Sequence, residues 1–88
     1  MYKGMLKENV YEVGGTRVVD DTLDGVLHDL SLSLSAIYEK PLLLDEEELE
    51  QFKQELAEDG YAEVVVAYDE DTPISIYVEK CDEEECEE

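Results

Sequence analysis

Apolar residues along the chain recur with two different periods, and each period predicts its own kind of element. Leu23, Val26, Leu27, Leu30, Leu34, Ile37 and Tyr38 follow one another at steps mostly of three and four. That spacing puts them on one stripe of a helix over residues 22–39, with Asp20, Asp21 and Thr22 supplying N-cap oxygens ahead of it. Leucine and serine also alternate from Leu30 to Ser35, which favours a strand. The helical pattern runs for four turns with Leu32 as its one large misfit, so helix wins. Pro41 ends the segment, because the residue before a proline is disfavoured in helical geometry. A second helix is predicted over residues 45–60. Asp45 caps it, Glu48 closes a capping box, and Gly60 supplies a left-handed stop. Leu49, Phe52 and Leu56 form its apolar stripe, and carboxylates dominate every other face: Glu46, Glu47, Glu50, Glu55, Glu58 and Asp59.

Elsewhere the period is two. Met5 and Leu6, then Val10 to Val13, lead into Gly14-Gly15 and Thr16-Arg17-Val18-Val19, which reads as two strands around a glycine turn. Residues 61–68 carry the β-branched run Val64-Val65-Val66. In residues 74–79, Ile74, Ile76 and Val78 alternate with Ser75, Tyr77 and Glu79. Asp69-Glu70-Asp71-Thr72-Pro73 between them is turn chemistry, so these two strands make a second hairpin. The predicted order is β-β-α-α-β-β. It describes an α+β two-layer sandwich, an antiparallel sheet covered on one face by two helices. Residues 1–80 form one domain, and residues 81–88 read as an acidic, disordered tail.

Charge alters this picture most. The 88 residues hold 26 acids against 6 bases, a formal net charge of −20. The acidity is uneven. Residues 1–44 carry seven acids and four bases, whereas residues 45–88 carry nineteen acids and only Lys53 and Lys80. A salt-adapted protein would be acidic over its whole surface, and this first half is nearly balanced. The sign excludes a protein that binds naked nucleic acid or an anionic membrane. No apolar stretch reaches the 18 residues of a membrane-spanning helix, and residues 1–8 lack the apolar run of a signal peptide. The expected location is therefore the cytoplasm.

Tests for catalysis and metal binding fail at the level of residue types. His28 is the one histidine, and no nucleophile can be assembled with a base around it. Gly14-Gly15 lacks the spacing and the lysine of a phosphate-binding loop. Asp69-Glu70-Asp71 alternates carboxylates as a calcium loop does, but Thr72-Pro73 follows where an oxygen ligand and a glycine are needed. Cys81 and Cys86 are a single pair at wide spacing, short of the four ligands of a structural zinc site. They are expected as free thiols. The chain is read as a non-enzyme with no cofactor and no metal.

A net charge of about 2 to 8 in magnitude keeps a small domain soluble. Two like charges about 7 Å apart repel by roughly 0.6 kcal/mol even in bulk water, so dense clustering is costly. Geometry offers a use for it. Carboxylates at i and i+4 of a helix lie about 6 Å apart and those at i and i+2 of a strand about 6.6 Å apart, near the spacing of phosphates along a nucleic-acid strand. In size, in charge and in the stretches LLLDEEELEQFKQELAEDG and YDEDTP, the chain resembles the small acidic DNA-mimic proteins, many from bacteriophages. Those proteins share no common fold or motif. The resemblance implies an inhibitor that occupies the nucleic-acid groove of a basic DNA-binding protein of a host, such as a histone-like nucleoid protein, and binds no nucleic acid itself. Such inhibitors are often dimers, so a homodimer is compatible with the resemblance. The phosphate-like groups would be Glu46, Glu47, Glu50, Glu55, Glu58, Asp59, Asp69, Glu70 and Asp71. The rival reading is a small structural or assembly protein that binds a neighbour through Tyr61, Tyr68 and Tyr77 while its acids keep it soluble.

Overall fold

A computed structural model describes residues 1–80. Its elements run β1 (Tyr2–Glu8), β2 (Tyr11–Glu12), β3 (Val18–Asp20), α1 (Leu23–Tyr38), α2 (Glu46–Asp59), β4 (Tyr61–Asp69) and β5 (Thr72–Lys80). The expected α+β class holds: one antiparallel sheet carries two helices on one face. Three strands rather than two precede the helices. The tail expected at residues 81–88 lies outside the described residues.

The extra strand corrects the reading of the first hairpin. The chain does not turn at Gly14-Gly15. It turns at Asn9-Val10, where Asn9 has φ 58° and Glu8 pairs with Tyr11. Asparagine tolerates that left-handed conformation, because its short polar side chain hydrogen-bonds locally. The returning strand is then interrupted. Lys7 pairs with Glu12 and Gly4 with Val18, so two residues of β1 face five on the other side. Thr16 fills the break. Its buried hydroxyl accepts from the Leu6 amide at 3.1 Å and donates to the Val13 carbonyl at 2.6 Å. The glycines belong to this insertion.

β1 lies between β5 on one side and β2 and β3 on the other, and β4 forms the far edge beyond β5. Strand alternation sends Leu6, Ala62, Ile74, Ile76 and Val78 to the helix side, where they meet Val26, Leu30, Leu34, Phe52 and Leu56. Burying one such side chain contributes about 1.5–3 kcal/mol. Gly4 sets how closely α1 approaches: a Cβ there would lie 2.6 Å from Val26 Cγ1 and 3.0 Å from Leu30 Cδ1. Of the predicted helical stripe, Val26, Leu30 and Leu34 are buried, and Ile37 is exposed. α1 begins after the N-cap Thr22, whose hydroxyl accepts from the Gly25 amide. It stops at Tyr38 because Glu39 turns left-handed at φ 56°, two residues before Pro41.

Candidate functional site

α2 is capped at both ends, but of the expected capping box only the Asp45 half forms, with no return bond from the Glu48 side chain. The Asp45 side chain accepts from the Glu48 amide at 3.0 Å, and Gly60 closes the helix at φ 84°. Three consecutive acids, Glu46, Glu47 and Glu48, occupy the first turn, where the helix dipole favours negative charge. Phe52 and Leu56 hold the helix to the sheet, which fixes the directions of all its other side chains.

Glu46, Glu47, Glu50, Glu58 and Asp59 are exposed and Glu55 is half-buried. The structure does not line them up in one unbroken row. Glu46, Glu47 and Glu50 cluster in the first turns and Glu55, Glu58 and Asp59 in the last, about 14 Å further along the axis. Gln51, Lys53 and Gln54 separate the clusters. Asp69, Glu70 and Asp71 lie at the tip of the β4–β5 hairpin. The turn is tighter than expected, with Glu70 and Asp71 alone as the loop, at φ 48° and 72°, and Asp69 paired with Thr72. One residue, Gly60, joins α2 to β4, so β4 runs back beside the helix and carries this tip toward the end that bears Glu46 and Glu47.

Lys53 is the one base on α2, and three of the six bases are paired elsewhere. Lys3 meets Glu79 at 4.0 Å, Lys7 meets Glu63 at 3.7 Å, and Arg17 meets Glu12 at 2.8 Å. The strand register places all three pairs at the sheet surface opposite the helices, where Lys7 also sits 4.8 Å over the Tyr77 ring and Tyr61 stacks on Tyr77. The hydrogen bond from Arg17 holds the Glu12 carboxyl below its usual range, and Glu12 in turn raises Arg17. Burial, then Glu79, pushes the Tyr77 hydroxyl up. Tyr38, at the end of α1, is raised by burial and then by the negative charges of Glu8 and Asp69. Among the described residues, no ion pair joins a base to any of the nine predicted acids.

Two acids outside the predicted set border the same region. Glu48, assigned only to capping, and Glu63, an outward residue of β4, rim a cleft of about 170 Å³ with Gln51 and Glu55, floored by Phe52 and Val64. Strand alternation could have exposed Glu63. Nothing in the sequence places it at the border of a cleft with α2, and its carboxylate is turned away, to Lys7 and Ser75. His28 is exposed on α1. Among the described residues no group of His, Cys, Asp or Glu is arranged to hold a metal ion, and Asp69, Glu70 and Asp71 are no exception. Cys81 and Cys86 lie outside those residues. No described helix is long and apolar enough to cross a membrane. No protein-family model, curated protein or solved structure matches the chain.

Proposed function

We propose that the chain is a polyanionic decoy: it presents the acids of α2 and the β4–β5 tip to a basic DNA-binding protein and so competes with DNA for it. The supporting observation is the segregation of charge. Lys3, Lys7 and Arg17 are taken up by Glu79, Glu63 and Glu12 at the sheet surface. Among the described residues no ion pair joins a base to an acid of α2, where Lys53 is the one base, and Phe52 and Leu56 fix that scaffold. A basic groove meeting that layer gains electrostatic steering and releases its counterions, as it does on DNA. The two clusters on α2 offer such a groove two separate anchor points rather than a continuous phosphate row. The broad negative surface suits a partner that reads backbone rather than bases. Such a partner is a nucleoid-type protein, and the site of action is then the cytoplasm.

Affinity capture from a lysate of the source cells, followed by elution with duplex DNA, tests this. Release of a basic DNA-binding protein by DNA supports the decoy. A second reading, an assembly protein, draws on the exposure of Tyr61 and Tyr68, 54% and 63%, on the sheet surface that also carries Tyr77. Captured proteins that stay bound in DNA and are lost on Tyr61→Ala and Tyr68→Ala would favour it.

A further inference from the structure

β4 is an edge strand of the sheet, beside α2. β4 pairs with β5 alone, so its other side is an open sheet edge among the described residues. The Lys80 amide donates to the Gly60 carbonyl at 2.7 Å. Antiparallel pairing alternates from there, so Ala62 and Val64 turn their main-chain groups toward β5, and Tyr61, Glu63 and Val65 turn theirs outward. The bulge between Val65 and Ala67 ends this stretch.

The two sides of that edge differ in chemistry. On the helix side lies the cleft with Phe52 and Val64 as floor and Glu48 and Glu55 as rim; Glu63 borders it at the strand edge, but its carboxylate is turned to the opposite surface, toward Lys7 and Ser75. On the opposite side Tyr61 and Val65 are exposed by 54% and 43%. A strand laid against β4 would alternate in the same way, with successive residues on one side about 6.6 Å apart. Its helix-side residues would meet Glu48 and Glu55, themselves about 10 Å apart along α2. Its other residues would pack beside Tyr61, Val65 and, between them, Glu63, whose charge Lys7 already meets. A second copy of this chain is a poor occupant, because pairing β4 with β4 sets two acidic α2 flanks side by side.

We propose that β4 accepts, by antiparallel strand addition at Tyr61, Glu63 and Val65, an extended peptide segment in which lysine or arginine alternates with apolar residues. This deepens the decoy reading, on which it rests for the basic character of the partner. Main-chain bonds would supply the attachment and the acidic cleft the selection.

The probe is a blocked heptapeptide of alternating lysine and valine, titrated against the full chain by calorimetry and by amide hydrogen exchange. Residues opposite Tyr61, Glu63 and Val65 share their face, so the valine amides would donate to β4 and the lysine amides would point to solvent. N-methylation of the valines is therefore expected to weaken binding at least tenfold, and N-methylation of the lysines less than threefold. Exchange should slow at the Tyr61, Glu63 and Val65 amides, and Glu48→Gln with Glu55→Gln should weaken binding at low salt. Equal binding of the two methylated peptides, unchanged exchange at those three amides, or no binding at all overturns the proposal. The outcome is separable from the decoy test. Strand addition by the peptide with no DNA-displaceable protein would sink the decoy and spare the edge, and the converse result would do the reverse.

Discussion

Lys7 Nζ lies 3.7 Å from a Glu63 carboxylate oxygen, whereas Glu55, which lines the same cleft as Glu63, pairs with no base among the described residues. That contrast within one small region summarises the electrostatics of the molecule. Three of the six bases are paired at the sheet, and α2 holds seven acids against Lys53 alone. Surface pairs of this kind contribute little to stability, about 0–1 kcal/mol each, so they do not offset the repulsion within α2.

Salt should therefore stabilise the fold. Raising the ionic strength from about 0.01 M to 1 M shortens the screening length from about 30 Å to about 3 Å, below the separation of neighbouring acids on α2. An increase of about 5 °C in Tm is expected, equivalent to roughly 1 kcal/mol for a domain of this size. Thermal melts across a sodium chloride series measure it, and a flat or falling Tm would show that the acids do not repel as described.

Thr16 is the residue on which the interrupted hairpin depends. Thr16→Val keeps the shape but strips the Leu6 amide and the Val13 carbonyl of their shared hydroxyl, at a cost of about 1–3 kcal/mol. Thr16→Ser should recover most of the loss. Urea denaturation of the two variants decides this, and equal midpoints would remove the hydroxyl from the account.

Thr16 also shows where the sequence stops being legible. Both helices, their caps and the second hairpin follow from local rules, because Asp45 and Gly60 act within a turn of their own positions and the stripe through Val26, Leu30 and Leu34 has one period. The first hairpin does not follow. Gly14-Gly15 has the composition of a turn, but the chain had already reversed at Asn9-Val10, and only a long-range bond from Leu6 to Thr16 explains why the glycines are needed where they are. The acids on α2 were legible as a group. Their division into two clusters depends on Gln51, Lys53 and Gln54 lying between them, and the cleft shared by Glu48, Glu55 and Glu63 needs the packing of α2 on β4.

Alkaline pH should destabilise the protein through Tyr38 and Tyr77. Both hydroxyls are raised above the usual tyrosine value, Tyr38 by burial and the charges of Glu8 and Asp69, Tyr77 by burial and Glu79. A group whose folded value exceeds its unfolded value contributes stability that is complete below the unfolded value, near pH 10, and is lost as pH rises through the folded one. Tyrosinate absorbance should show two of the six tyrosines ionising above the rest. In Tyr38→Phe the later phase should shrink by half, and a single phase for the unaltered chain would contradict the assignment.

The most direct measurement is a competition titration: displacement of labelled duplex DNA from the captured basic protein by this chain and by its Glu47→Lys, Glu50→Lys, Asp71→Lys variant. The decoy account predicts displacement that weakens steeply as salt rises, a loss of at least a hundredfold in the variant, and an unchanged circular dichroism spectrum. Displacement that ignores salt, or a folded variant that competes as well as the unaltered chain, would contradict it.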